Sequence, residues 1–368
     1  MPKIMNKKLP IIVFALLAVI IVGITTISYF GKTVSLKNNP IVNAGTVLGN
    51  QNSASTTSDM MVDENWPKNV LIGQKCKNGG QRPIAVMLAA DQKARPLYGI
   101  SKADLVVEMP VLTDGITRYM ALFSCEEPAE IGAMRSARHD FLPFAKSFDA
   151  IYAHWGGSYL ALDLLNKKVM DNLDALKNPF DAFYRKSGRL APHNGFTSFS
   201  ALKNAIEKFG YRNENKAGGY IHIKDEPILN SDQNISIAYP DPYNADFYYN
   251  RSSNSYFRSR GGQKEIDSEN GKQVEVKNLI IIIANSRQIN ADYNEMEIEG
   301  EGNLIIYRNG EAIKGKWKRK KEMYAGKEPS AEDRYIFLNE NSQEIGMVPG
   351  KIWISVVQPN QRVEQTFR

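Results

Sequence analysis

AIYAHWGGSYLALDLLNKK, Ala150–Lys168, decides the class of the fold. Its first six residues are mostly apolar and suit a short strand covered on both faces. Gly156 and Gly157 then make a turn, Ser158 stands where a helix N-cap belongs, and YLALDLLNKK continues as a helix. Strand, glycine turn and capped helix form one unit of a layered α/β domain. The same unit has a chemical reading. Glycine lets a backbone approach a ligand closely, and a helix start presents free N–H groups. Gly156, Gly157 and Ser158 are therefore a candidate cradle for an anion at the carboxyl end of a strand.

Outward from this unit the alternation continues. IAVML (Ile84–Leu88), ADLVVEM (Ala103–Met109) and RYMALFS (Arg118–Ser124) are short β-rich runs. Ser136 is placed to cap a helix running through Phe144, with Pro143 expected to kink or end it. Ser198 is placed to cap FSALKNAIEKF, and Gly210 to stop it. From about His222 the pattern turns to strands: NISIAY, ADFYYNR, SYFRS, NLIIIIA, RYIFLN and IWISVV. Between NLIIYR and EAIKGKW, Asn309-Gly310 signals a type I′ hairpin, because both residues accept positive φ. The expected fold is an α/β domain over 65–222, a layered sheet with flanking helices, followed by a mostly antiparallel β part over 223–368. The second part can fold alone or complete the first part's sheet.

The N-terminus points to a membrane. Residues 1–8 carry Lys3, Lys7 and Lys8 and read as a cytoplasmic n-region. Residues 9–30 carry no charge over 22 positions, enough to span a bilayer core as a single helix. The flanking lysines favour an N-in anchor; a cleaved signal peptide is the alternative. No cysteine follows the run, which excludes lipid attachment there. Residues 31–64 are polar and aperiodic and read as a flexible linker. The expected partner of 9–30 is the cytoplasmic membrane, with the C-terminal part outside the cell. Across 368 residues the net charge of +6 is too mild to indicate nucleic acid. It suits anionic cell-wall polymers, lipid-linked precursors or lipid head groups. Cys76 and Cys125 can pair in an oxidising compartment or stay as free thiols.

The chemistry-bearing residues concentrate in a few segments. IGAMRSARHDFLPFA (Ile131–Ala145) sets Arg135, Arg138 and His139 in a small, apolar run. Cations at a helix start oppose its dipole, a conflict that a bound phosphate or carboxylate would resolve. An internal salt bridge to Asp140, Asp104 or Glu108 is the alternative. Arg118 opens a strand, His154 ends one, and His193-Asn194 precedes the Ser198 helix. The candidate binding residues are Arg118, Arg135, Arg138, Gly156, Gly157, Ser158 and Asn194, with His139, His154 and His193 to orient a ligand or move protons. No HxH or HExxH spacing supports a metal site, no GxSxG elbow supports a serine hydrolase, and no cofactor is indicated. KGKWKRKK (Lys314–Lys321) reads as a solvated strand edge, or as a contact for anionic polymers or lipids.

RPIAVM (Arg82–Met87), KARP (Lys93–Pro96), SKADLVVE (Ser101–Glu108), GITRYMALF (Gly115–Phe123), IGAMRSAR (Ile131–Arg138), FDAIYAHWGGS (Phe148–Ser158) and APHN (Ala191–Asn194) occur in this order. KNLIIII, GKW and PGKIWISVV follow. The ordered set, spanning Arg82 to Val357, resembles the bacterial YerB-like lipoprotein family, a domain of unknown function with N- and C-terminal parts. The resemblance implies an extracytoplasmic, membrane-attached protein and supplies no catalytic residues. The missing lipidation cysteine departs from that family and leaves the apolar helix as the expected anchor. The sequence thus indicates a tethered envelope protein that binds an anionic ligand at an Arg/His site. Two alternatives stay open. One is a phosphotransferase or hydrolase acting on lipid-linked envelope glycan, since the layout resembles that of the LytR-CpsA-Psr glycopolymer ligases. The other is a non-catalytic scaffold for envelope enzymes.

Overall fold

The computed structural model describes residues 63–227, 232–320 and 330–367. The expected anchor at 9–30, with the n-region and nearly all of the linker, lies outside the described residues. Among the described residues no helix is long and apolar enough to cross a membrane.

The main sheet has ten strands. Five come from the first half of the chain: β1 (Ile84–Ala89), β2 (Leu105–Pro110), β3 (Thr117–Phe123), β4 (Ile151–His154) and β5 (Asn172–Asp174). Five come from the second: β6 (Asn278–Ile283), β7 (Gly300–Arg308), β8 (Glu311–Arg319), β9 (Ile336–Asn339) and β10 (Ile352–Val357). Their order is β9-β8-β7-β6-β10-β2-β3-β1-β4-β5. The seam between the halves is the parallel pair β2–β10, with Leu105 opposite Ile352 and Glu108 opposite Ser355. The expected boundary at 222/223 is therefore not a break in the sheet, and the described residues fall in one compact unit. Both central strands are buried along their whole length. That explains why their sequences are continuous apolar runs and not alternating ones.

The sheet has two covered faces. On one, Met87, Val107, Met120 and Tyr152 pack with helix α1 (Phe141–Ser147) and helix α2 (Tyr159–Asn166). On the other, Val86, Val106, Tyr119 and Trp353 pack with helix α3 (Phe199–Phe209) and a second, antiparallel sheet. That sheet is built from Gln233–Ile237, Ala245–Asn250, Ser255–Arg260, Gln263–Lys264, Glu275–Val276 and Val363–Phe367. Adjacent residues of one strand point to opposite faces, so Arg118 and Tyr119 serve different sides. The second half is β-rich as expected. It is not purely antiparallel, because β10 runs parallel to both β6 and β2.

Local signals place several elements. Ser198 Oγ accepts the Ala201 amide and Gly210 ends α3 at φ +67°. Asn309 and Gly310 both have positive φ in the tight turn between β7 and β8. Cys76 and Cys125 form a disulfide. The helix expected from Ser136 starts later, at Phe141, with Asp140 in the cap position. Pro143 sits in its first turn, where a missing N–H costs nothing. In the basic run, Lys314, Lys316 and Lys318 are exposed while Trp317 is buried. It lies in β8, which has β7 on one side and β9 on the other, so the sheet edge is one strand further out.

Candidate functional site

Strand β1 runs parallel to β4 and antiparallel to β3, and β3 antiparallel to β2. Strands β1, β2, β4 and β5 therefore end at one edge of the sheet, and β3 begins there. This edge holds most of the expected site residues. Open α/β sheets place their ligands at such an edge.

Arg118 stands at the start of β3, opposite Ala89 and Met109, and is 5% exposed. Its Nη1 donates to the Ser136 carbonyl at 2.9 Å. Arg135 is fixed through its backbone: its N–H donates to the Met87 carbonyl at 2.9 Å and its carbonyl accepts from Trp155 N–H at 3.1 Å. Its Nη2 lies 3.5 Å from Asp91 Oδ2, at the end of the strand β1 connection. Arg138 stacks on Tyr293 at 5.0 Å, and Nη1 donates to the Ala137 carbonyl at 3.2 Å. The three cations feel one another. Burial first, then Arg138 and Arg135, pushes Arg118 down to about 9. Burial also lowers Arg138, with Arg135 adding to it and Tyr293 and Tyr152 opposing. The Nε atoms of Arg135 and Arg138 are buried without a hydrogen-bond partner.

None of the acids expected as salt-bridge partners takes Arg135; Asp91 does. Asp104 accepts the Cys125 amide, and Glu108 pairs with Arg258 and Arg260 across the other face. Asp140 accepts the Met296 amide at 3.2 Å, and burial pushes its carboxyl up to about 8, so it is largely protonated at neutral pH.

The histidines separate. His139 is lowered by burial, and its Nε2 lies 3.3 Å from Asp140 Oδ1. His193 is lowered by burial too, with Asp91 and Arg135 among its electrostatic neighbours and a buried Nδ1 lacking a partner. Both belong to the arginine cluster's surroundings. His154 does not. It is fully buried, with Nδ1 2.8 Å from the Gly156 carbonyl and Nε2 3.2 Å from Asn172 Oδ1. Asn194 also has a different task, accepting Arg185 Nη1 at 2.8 Å beside the Trp155 ring.

Two amides of the glycine turn already have acceptors within the protein. The Gly156 amide donates to Asp174 Oδ1 at 3.0 Å, and the Ser158 amide to the Ala137 carbonyl at 3.0 Å. Ser158 Oγ accepts the Ala161 amide and caps α2. The Ala137 amide in turn donates to the Gly156 carbonyl at 2.9 Å. A Cβ on Gly157 would stand 3.1 Å from Ala137 Cβ, so glycine permits this close approach. The turn is a clamp that holds the arginine-bearing segment against the sheet. Sequence reasoning missed Asp91, Tyr152 and Tyr293. Asp91 had a signal, since it follows a strand at the carboxyl edge. Tyr293 had none, because only the fold brings its hairpin to Arg138. Among the described residues no three of His, Cys, Asp and Glu are grouped to hold a metal ion.

Residues 72–212 match the N-terminal domain, and residues 235–354 the C-terminal domain, of the family described as "Protein of unknown function (DUF3048)". The chain belongs to this family. The chain is 30% identical over 283 residues to "Putative lipoprotein YerB" of Bacillus subtilis (strain 168), covering 75% of this chain and 81% of that one. It also resembles the crystal structure of YerB protein from Bacillus subtilis, with a TM-score of 0.70 and 28% identity over 81% of this chain and 99% of that one. The two parts that match DUF3048 are separated by residues 213–234, and their strands share one sheet.

Proposed function

We propose that this DUF3048 protein is a membrane-tethered, extracytoplasmic envelope protein. It binds an anionic, phosphate- or carboxylate-bearing cell-wall ligand at Arg118, Arg135 and Arg138. His139 and His193 flank the ligand as neutral hydrogen-bonding groups. One observation carries the reading: three guanidinium groups meet at the carboxyl edge of the sheet with Asp91 as the neighbouring carboxylate. Like charges confined together are costly in a poorly solvated place, and an oxyanion recovers that cost through charge-assisted hydrogen bonds. The tether rests on the apolar run at 9–30 and on the name of the Bacillus relative. His154, Asn194 and the glycine turn serve structural roles and fall outside the proposed ligand set.

The test is calorimetric titration of the full chain, reconstituted in zwitterionic lipid discs, with inorganic phosphate and with a purified anionic wall polymer. Arg135→Ala and Arg138→Ala should each weaken binding by about 10- to 100-fold, the range for losing a hydrogen bond to a charged group. Unchanged affinity in both variants would remove the site.

A further inference from the structure

The other face of the main sheet holds an opening of its own. A cavity of about 390 Å³ lies between the loop after β1 and the turn that follows the strand Ser255–Arg260. Pro96, Leu97, Pro242 and Ile266 give it apolar walls. Arg95, Arg260 and Glu265 also line it, with exposed Lys264 at the rim.

Behind Arg260 is a buried ionic network. Glu108 accepts Arg258 Nη2 at 2.7 Å, Arg260 Nη1 at 2.6 Å and Thr117 Oγ1 at 2.9 Å. Glu265 pairs with Arg258 and accepts the Tyr119 hydroxyl at 3.1 Å. Two guanidinium groups thus face two carboxylates, which balance. Arg95 adds a third cation. Its Nη2 donates to the carbonyls of Ala90, at 3.3 Å, and Pro242, at 2.9 Å, and no carboxylate pairs with it among the described residues. The Nε of Arg95 is buried without a partner. So is the Nε of Arg260, a residue only 1% exposed. A partly buried cation with no counter-charge beside an apolar wall is an incomplete arrangement, since removing a charge from water needs compensation.

We propose that this cavity binds a small oxyanion with an apolar body. Arg95 holds the carboxylate or phosphate, and the body lies against Pro96, Leu97, Pro242 and Ile266. The charges support an anion: one guanidinium is in excess of the carboxylates, Glu265 is already neutralised by Arg258, and Lys264 adds a cation at the rim. The volume is within the range of small-molecule pockets. Arg118 itself uses the opposite face of β3, while Tyr243 feels Asp91 and Arg135 as well as Arg95 and Arg260, so the two sites adjoin at the end of β1.

Titration of the full chain in zwitterionic discs with benzoate, phenyl phosphate and uncharged benzyl alcohol decides it. Benzoate or phenyl phosphate should bind saturably, and the tighter of the two identifies the head group. Arg95→Ala should weaken that binding about tenfold or more, and Lys264→Glu severalfold. Arg135→Ala should change it less than about twofold while weakening inorganic phosphate binding about 10- to 100-fold, which keeps the two sites distinguishable. Thermal melts establish that Arg95→Ala is folded; if it is not, Lys264→Glu, exposed at the rim, decides. No saturable heat from either anion at about 10 mM, equal binding of benzyl alcohol, or unchanged affinity in the deciding variant would overturn the proposal.

Discussion

Two buried aspartates give the folded chain a definite response to pH. Burial raises Asp140 from 3.8 to about 8 and Asp104 from 3.8 to about 7. Each keeps its proton in the native state at pH values where the unfolded chain has released it. The native state then binds more protons, so unfolding free energy falls as pH rises. Their contribution is whole below about pH 4 and is lost by about pH 7 for Asp104 and about pH 8 for Asp140. Asp140→Asn carries no titrating proton and should flatten the decline by up to about 1.4 kcal/mol per pH unit. Melting temperatures of both proteins from pH 5 to 8 measure it; parallel curves would count against a protonated Asp140. Asp91 makes the opposite kind of prediction. It competes with an incoming anion for Arg135, so Asp91→Asn should tighten inorganic phosphate binding severalfold, read by calorimetry. Weaker binding would mean that Asp91 orients the arginine instead. The arginines themselves were legible because they cluster in sequence and open a strand. Their counter-charge was not, since Asp91 reaches Arg135 only across the folded edge.

Elements whose boundaries depend on local backbone chemistry followed from the sequence, and those set by distant pairing did not. The β7–β8 turn is of the first kind. Gly310 has φ +79°, and a Cβ there would stand 2.8 Å from the Tyr249 ring. Gly310→Ala should therefore cost more than the ~1–2 kcal/mol of a left-handed backbone alone. Gly262→Ala is the control, because φ is +72° with nothing within 4 Å of the added methyl. Equal losses in denaturant melts would show that the Tyr249 contact relaxes freely. The helix assigned to Ser136 is of the second kind. Arg135 and Ala137 have their backbone groups paired with Met87, Trp155, Gly156 and Ser158, so the helix waits until Phe141. The bonding of the glycine turn was hidden for the same reason. A strand, two glycines and a serine cap are visible in sequence, but the acceptors of their amides are not.

Across the whole molecule the sheet overrides the change in sequence character near residue 222. The alternation before it and the strand runs after it were legible as two regimes. Their joining was not, because the β2–β10 pairing rests on two apolar runs that would suit any buried neighbour. The shared sheet predicts one cooperative calorimetric transition for the full chain. Residues 63–222 produced alone should show no such transition, since β2 loses its parallel partner and the second sheet no longer covers Tyr119. A fragment melting cooperatively near the parent temperature would restore the picture of separable halves. The seam also carries a temporal consequence. A ribosome delivers Leu105 long before Ile352, so the middle of the sheet stays open until β10 arrives. Such long-range closure slows folding and leaves apolar edges uncovered meanwhile. Maturation is therefore timed by the arrival of β10.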